Sequence, residues 1–467
     1  MSKISKFCIK GLFNIHNVEI PFNENIKILI GENGLGKTTI LNTLYYTLTR
    51  KWSKLLKIPF VSIEVTFENN DVIFFTKENL TSYLMDDKRQ RKRGTTKLVN
   101  ELRNIIPNID NLKEQLITKE ENGKYTLDHN EILNYIVSNQ INRTLSAPTS
   151  ILVDCLIRLL LDDFVIIFED IIKVINKNIT STIIYFPTYR RVEEELQNLG
   201  PIRRHYNSPF EDELYFEEEE EEDEIFHFEN DTLIQFGMKD VDQRITYVLK
   251  QINDMSLSGF TAVTGQILTQ MLKGFPEPSE TEINKLQKAD IEIILNRVRG
   301  NLSEHDRNNI LGILESRKLN EKKDLVFFLT KLIEIYEKQK ELDNRIKTFV
   351  MICNKYLVDK SIIFDESSVT IQIRRNSTEE PVNLSQLSSG EKQIVSIFSR
   401  IYLEDYKGFI VLFDEPELSL SIDWQKQLLP DIIESDKCEF LVAITHSPFI
   451  FKNELDMYAT GMNVYID

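Results

Sequence analysis

Gly31-Glu-Asn33-Gly34-Leu-Gly36-Lys37-Thr38-Thr39 follows directly on Ile26-Lys-Ile-Leu-Ile30, and a helix-forming run continues from it to about Arg50. Residues 31–38 fit the pattern G-x-x-x-x-G-K-[ST], and a buried strand before and a helix after are the context that pattern requires. Successive backbone N–H groups in such a turn form a cradle for phosphate oxygens, and the helix N-terminus adds partial positive charge. Gly31, Asn33, Gly34, Gly36, Lys37, Thr38 and Thr39 are therefore the expected nucleotide-binding residues. Gly34 and Gly36 let the backbone approach closely, Lys37 reaches the β- and γ-phosphates, and the Thr38 hydroxyl holds Mg²⁺.

A phosphate cradle needs acids and a water-activating group, and the C-terminal hundred residues supply candidates. Phe409-Ile-Val-Leu-Phe413 reads as a buried strand that ends in Asp414-Glu415-Pro416. An acid at a strand tip beside the cradle is where a Mg²⁺ ligand belongs, which assigns Asp414 to the metal and Glu415 to the base that polarises water. Leu387-Ser388-Ser389-Gly390-Glu391 precedes an amphipathic run in which Ser388 is the expected N-cap and Glu391, three residues on, completes a capping box. The same hydroxyl and N–H groups suit a γ-phosphate, so Ser388 and Gly390 join the candidate nucleotide-binding set. Val442-Ala-Ile-Thr445 ends in His446, 32 residues after Asp414, at a second strand tip suited to contacting a γ-phosphate.

Between these ends the pattern changes. Residues 1–80 read as half of an α/β unit with a β-rich edge; in 61–67, Ile63, Val65 and Phe67 alternate with Ser62, Glu64 and Thr66. Residues 81–360 read as a mainly helical insertion, interrupted by one strand at 181–186, and 361–467 complete the head. Within the insertion, 151–175 is the most apolar stretch, yet Asp154, Arg158 and Asp162 recur every four residues as a charged stripe on a core helix or pair of helices. Residues 86–97 are basic, and Lys88, Arg89, Arg91, Lys92 and Arg93 are candidates for phosphate contacts with nucleic acid.

The chain has 467 residues and a net charge of −17, but the charge is uneven. Residues 211–230 hold twelve acids and no Lys or Arg, including eight consecutive carboxylates at 217–224; the other 447 residues carry only −5. The acidic mean therefore leaves nucleic acid open as a partner, because binding depends on local patches. Cys8, Cys155, Cys353 and Cys438 are far apart, which excludes a disulfide framework or zinc cluster and suits a reducing cytoplasm. The N-terminus lacks an apolar signal core, and no run is long and apolar enough for a membrane span, so a cytoplasmic location is expected.

The four motifs in this order resemble an ABC-type ATPase head. The 350 residues between Lys37 and Leu387 are similar to the structural-maintenance-of-chromosomes, RecF and OLD branch, in which an insertion divides the head. The resemblance implies an α/β fold with a P-loop core sheet and a β-rich lobe, ATP and Mg²⁺ as cofactors, and Mg-dependent ATP hydrolysis. It implies that Lys37, Glu415 and His446 are catalytic, with His446 as switch histidine. It also implies that Ser388 and Gly390 complete the ATP site of a second copy in a homodimer or higher homo-oligomer, with 419–423 as the dimer-contacting D-loop. Ser389 departs from the LSGG signature, Ser421 stands where many relatives have His, and no Q-loop glutamine is evident; the strand before Pro187, with Tyr189, Arg190 and Arg191 after it, is the candidate neighbourhood. Within the branch, Ile183-Ile-Tyr-Phe-Pro187-Thr-Tyr-Arg-Arg, the acidic run and Gln386-Leu-Ser-Ser-Gly-Glu-Lys-Gln resemble the PtuA ATPases of Septu and some retron anti-phage systems. That likeness implies an HNH nuclease partner, PtuB-like, supplied in trans, with no nuclease activity in this chain itself. The alternatives are a RecF-like DNA-repair ATPase without a nuclease partner and an ATP-dependent scaffold, the latter disfavoured by the intact Glu415.

Overall fold

In a computed structural model, the described residues are 4–31, 34–90, 98, 101–102, 105–106, 112, 116–119, 125–127, 129–145, 147–188, 238–297, 303–315 and 322–467. Asn33, residues 91–97 of the basic segment, Tyr189 to Arg191 and the acidic run lie outside them, as do the side chains of Lys88, Arg89, Asp154, Arg158 and Asp162.

The chain opens with β1 (Ile4–Leu12), β2 (His16–Pro21) and β3 (Ile26–Ile30), and after the P-loop helix Lys37–Leu48 come β4 (Ser62–Phe67) and β5 (Val72–Thr76). β1, β2, β4 and β5 form an antiparallel sheet in the order β2-β1-β4-β5. Ile63, Val65 and Phe67 of β4 are buried, as the alternation requires. A small hairpin, β6 (Ile117–Lys119) and β7 (Tyr125–Leu127), precedes one unbroken helix, Thr149–Asn178, over the most apolar stretch of the sequence.

The central sheet is parallel. β8 (Thr182–Phe186) follows the long helix; β9 (Lys360–Asp365), β10 (Thr370–Arg375) and β11 (Pro381–Val382) then make a separate antiparallel sheet. β12 (Phe409–Asp414), β13 (Cys438–Thr445) and β14 (Ala459–Gly461) complete the central sheet in the order β14-β3-β13-β12-β8. The strand at 181–186 thus sits in the head beside β12, pairing Phe186 with Phe413, and splits the intervening region into two helical parts.

β12 is buried along its whole length because both faces of the sheet are covered, which is why it reads as continuous apolar sequence rather than an alternation. Phe409, Val411 and Phe413 enter one core with the helices Ser389–Leu403, Ile422–Ile433 and parts of Met238–Lys273 and Lys323–Tyr356. Ile410 and Leu412 enter the other core, with the P-loop helix and the antiparallel sheet. This is an α/β fold with a parallel core sheet, a β-rich lobe and a largely helical insertion, the fold class the sequence implies.

Two satellite cores mark the helical parts: one gathers residues from Leu102 to Leu159, the other from Leu286 to Tyr336. The second is fixed by a buried ion pair. Arg297 donates to both Asp343 carboxylate oxygens at 2.8 and 2.7 Å, to the Gln339 amide oxygen, and to the Glu366 carbonyl in the β9–β10 turn. The helices Met238–Lys273 and Lys323–Tyr356 have 36 and 34 residues, about 50 Å each. Both pack on Ser389–Leu403.

Candidate functional site

Parallel pairing aligns the carboxyl ends of β3, β13, β12 and β8 along one sheet edge, where open α/β sheets place their ligands. β3 leads into the P-loop, β12 ends at Asp414, β13 ends at Thr445 before His446, and β8 ends two residues before Thr188.

In the loop, Gly34 and Gly36 have φ of 94° and 71°, left-handed conformations that glycine adopts without strain. Gly36 is the N-cap of Lys37–Leu48, so the helix N-terminus opens directly onto the loop. Thr39 lies in the first turn, its carbonyl accepting the Thr43 hydroxyl. Lys37 is only 6% exposed; its Nζ donates to the Gly31 carbonyl at 2.8 Å and to the His446 imidazole. A Cβ on Gly31 would come within 2.8 Å of Lys37 Cδ, so the glycine gives the lysine stem its path across the loop. Burial lowers the Lys37 pKa, opposed by the negative fields of Glu415, Asp414 and Glu417.

Asp414 is 1% exposed. Its Oδ2 accepts the hydroxyls of Thr38 at 2.8 Å and Thr188 at 2.7 Å, while Oδ1 is buried with no hydrogen-bond partner. An unpaired buried carboxylate oxygen is costly unless something positive fills the place. One carboxylate flanked by hydroxyls suits Mg²⁺, which binds through one or two protein oxygens and takes its other ligands from water and phosphate. Among the described residues no group of three or more His, Cys, Asp and Glu side chains is arranged to hold a metal ion by itself.

Glu415 sits beyond the strand tip with φ of 51° and donates its N–H to Ile444. Burial, then the charges of Asp414 and Glu417, raise its carboxyl pKa; Lys37 and His446 pull it down. His446 Nε2 lies 3.7 Å from Glu415 Oε1. A carboxylate made more basic, aimed at the edge that carries Lys37, has the character of a general base.

Of the sequence-derived candidates, Gly31, Gly34, Gly36, Lys37, Thr38, Thr39, Asp414, Glu415 and His446 converge on this edge. Ser388 and Gly390 form a second cluster. Ser388 caps Ser389–Leu403 in a capping box with Glu391, whose carboxylate also takes Lys360 at 2.9 and 3.0 Å. Gly390 faces the turn after β12: a Cβ there would lie 2.4 Å from the Ser419 carbonyl oxygen and 3.2 Å from Trp424. Among the described residues, neither Ser388 nor Gly390 hydrogen-bonds to the P-loop of its own chain. Ser421 caps Ile422–Ile433 by accepting the Trp424 N–H.

Two residues escaped the sequence reading. Thr188, one residue after Pro187, lies in the candidate Q-loop neighbourhood; a strand followed by a hydroxyl is its signal in the sequence. Glu417 is 9% exposed and binds the turn that carries His446; the spacing Asp-Glu-Pro-Glu was its signal.

A family model described as an AAA ATPase domain (AAA_15) matches residues 2–451. The chain belongs to the AAA ATPase domain family. The whole cluster around Lys37 and Asp414 falls inside the match, so this AAA ATPase carries its P-loop, the strand-tip Asp414 and His446 in the matched region. No curated protein sequence matches the chain. Solved structures similar to it include an Smc head domain with an extended coiled coil bound to the C-terminal domain of ScpA, derived from Pyrococcus furiosus, at 12% identity over 97% of this chain and 92% of that one, TM-score 0.33. An SmcHead bound to the C-winged helix domain of ScpA gives the same figures. An Smc head domain with a coiled coil and joint, derived from Pyrococcus yayanosii, follows at 14% identity, 97% and 94% coverage and TM-score 0.31. Among the described residues of this AAA ATPase, no helix is long and apolar enough to cross a membrane.

Proposed function

We propose that this AAA ATPase hydrolyses Mg-ATP at composite sites formed by two copies of the chain, and that its nucleotide state controls an HNH nuclease supplied in trans. The hydrolysis reading is carried by Asp414, a buried carboxylate with two hydroxyls on one oxygen and none on the other. Mg²⁺, held by Thr38 and Asp414, would supply positive charge to offset that of the phosphates. The chain's own residues do the remaining work. Thr38 and Asp414 hold the ion, and the P-loop amides with Lys37 hold the phosphates. Lys37 exchanges its contacts to Gly31 and His446 for phosphate oxygens. Glu415 takes a proton from the attacking water, and His446 steadies the γ-phosphate side of the site. Ser388 and the amides at the start of Ser389–Leu403 face the γ-phosphate bound by the other copy. The nuclease reading rests on the sequence blocks resembling PtuA ATPases.

Lys37→Ala abolishes ATP binding under this reading, and Ser388→Arg abolishes turnover. Mixing the two inactive variants restores part of the activity, because a mixed dimer contains one intact composite site. A verified mixed dimer without activity overturns completion in trans, and normal hydrolysis by Lys37→Ala overturns the P-loop assignment. Copurification with a coexpressed HNH nuclease, and cleavage that changes between apo and ATP-loaded protein, tests the partner; cleavage indifferent to nucleotide overturns control.

A further inference from the structure

We infer that Glu417 is a positioning residue for this site, holding the Thr445-His446-Ser447 turn so that the imidazole faces Lys37. The inference rests on the proposed hydrolysis at this edge and adds a residue that the motifs do not include. Glu417 lies three residues beyond Asp414, after the strand has ended, and its carboxylate reaches back under the tip of β13. Its Oε2 accepts the Thr445 hydroxyl at 2.8 Å. Its Oε1 accepts the backbone N–H of His446 at 2.7 Å and of Ser447 at 3.2 Å. Three consecutive residues are thus held by one side chain across 28 to 30 positions of sequence.

The carboxylate has no solvent role at 9% exposure, and among the described residues no Lys, Arg or His forms an ion pair with it. Its two oxygens are met instead by the oriented O–H and N–H dipoles of the turn. A buried acid satisfied in this way is an anchor, not a reacting group. Both of its oxygens accept hydrogen bonds from the turn, unlike the bare Oδ1 of Asp414.

A second tie runs parallel to the first. The Gln425 amide donates to the Glu417 and Leu420 carbonyls at 3.4 and 3.0 Å, while its oxygen accepts the Ser447 hydroxyl at 2.6 Å. The His446 main chain is therefore clamped from the segment after β12 and from the helix Ile422–Ile433. What this leaves to the histidine is its ring, whose Nε2 meets Lys37 Nζ and lies 3.7 Å from Glu415 Oε1. A shift of about 1 Å in such a group typically costs on the order of 10²-fold in rate without loss of binding.

The test uses the full chain with Glu417→Ala and Glu417→Gln, each alone and with His446→Ala. Glutamine retains an oxygen for the two N–H groups, and its amide can donate to the Thr445 hydroxyl. Glu417→Ala is expected to lower kcat on the order of 10²-fold with little change in KM. Glu417→Gln is expected to recover most of the loss, and Glu417→Ala is expected to add almost nothing in the His446→Ala background. Full activity of Glu417→Ala, multiplied losses in the double variant, or glutamine as poor as alanine each overturns the inference. A second readout needs no turnover: in protein labelled with ¹⁵N-histidine, the ring signal missing from His446→Ala should move in Glu417→Ala and hold in Glu417→Gln. An unmoved signal in Glu417→Ala overturns the inference even if the wild-type chain hydrolyses nothing, a result that would sink the proposed function alone. Should Glu417→Ala fail to fold, Thr445→Val removes one of the three donors; unchanged kcat and an unmoved ring signal in that variant overturn the inference.

Discussion

The Thr188 hydroxyl donates to Asp414 Oδ2 at 2.7 Å, the same oxygen that takes the Thr38 hydroxyl at 2.8 Å. One hydroxyl comes from the P-loop helix and the other from the end of β8, strands apart in the sheet. Together they hold Oδ2 and leave Oδ1 without a hydrogen-bond partner, available to the proposed metal.

Thr188→Val tests that arrangement. It removes one donor to a charged acceptor while keeping a β-branched side chain. Loss of a partner that orients a metal ligand typically costs about 10–100-fold in metal affinity. Mn²⁺ binding in the presence of ATP, followed by electron paramagnetic resonance, should weaken by that factor, with ATP binding in the absence of metal unchanged. Unaltered Mn²⁺ affinity would show that Thr38 suffices to orient Asp414.

Glu415 provides the pH test. Burial and the neighbouring Asp414 and Glu417 hold its carboxyl above the usual carboxylate range. The base form is the charged form, so it fills only as pH rises through that elevated value. Hydrolysis should therefore decline on the acid side at a pH above the ordinary value of about 4.3 for Glu. Glu415→Gln should retain Mg-ATP binding, lose turnover by about 10²–10⁴-fold and lose that acid limb. Single-turnover hydrolysis across pH checks both; near-normal turnover in Glu415→Gln assigns water activation to another group.

The parts of this site legible in the sequence were those written locally. The P-loop is contiguous, and five apolar residues before Asp414-Glu415 can only be a buried strand in a chain with this context. Ser388 and Glu391 announce their capping box by spacing alone. What stayed hidden depends on sheet order. Nothing in Thr182–Phe186 says that it pairs with Phe409–Asp414 rather than with a strand of the insertion, and only that pairing brings Thr188 to Asp414. Glu417 was hidden for the same reason: its three donors come from β13 and the turn after it, and the pairing of Asp414 with Ile444 places them. The contact of Gly390 with Ser419 was hidden as well, because it is purely tertiary.

Glu391 makes a prediction for acid stability. Burial would raise its pKa, but the Lys360 hydrogen bonds and the Ser388 N–H outweigh burial and hold it below the usual value. A carboxyl depressed in the folded chain contributes stability above its unfolded pKa and loses it as pH falls through the folded one. Glu391→Gln should therefore lower the urea midpoint at pH 7 and leave it less sensitive to pH below about 4.3. Removing one partner of a buried pair costs about 3–5 kcal/mol, and Glu391→Ala should approach the lower end because Lys360 retains some access to water. Parallel midpoints for wild type and Glu391→Gln throughout the acid range would assign the signature-helix cap no electrostatic role.

Gly390 separates a fold requirement from a ligand requirement. Its resemblance-derived role concerns the nucleotide of a second copy, yet in a single chain its Cα faces the Ser419 carbonyl so closely that a methyl group would stand 2.4 Å from that oxygen. Ser419 itself is held at φ of 63°, and the turn is braced by the Leu420 N–H on the Glu417 carbonyl, so the oxygen cannot swing away without disturbing neighbouring backbone. Gly390→Ala should therefore destabilise the isolated, nucleotide-free chain by about 1–3 kcal/mol, the usual cost of forcing a methylene into packed space. Ser388→Ala, which removes a cap, should cost about 0.5–2 kcal/mol. Urea unfolding of both variants at concentrations where the chain is monomeric makes the comparison. If Gly390→Ala unfolds at the wild-type midpoint while losing ATP hydrolysis, the glycine serves the partner's nucleotide alone. If it unfolds early, the loss of activity in that variant is first a loss of the junction between the signature helix and the turn that follows β12.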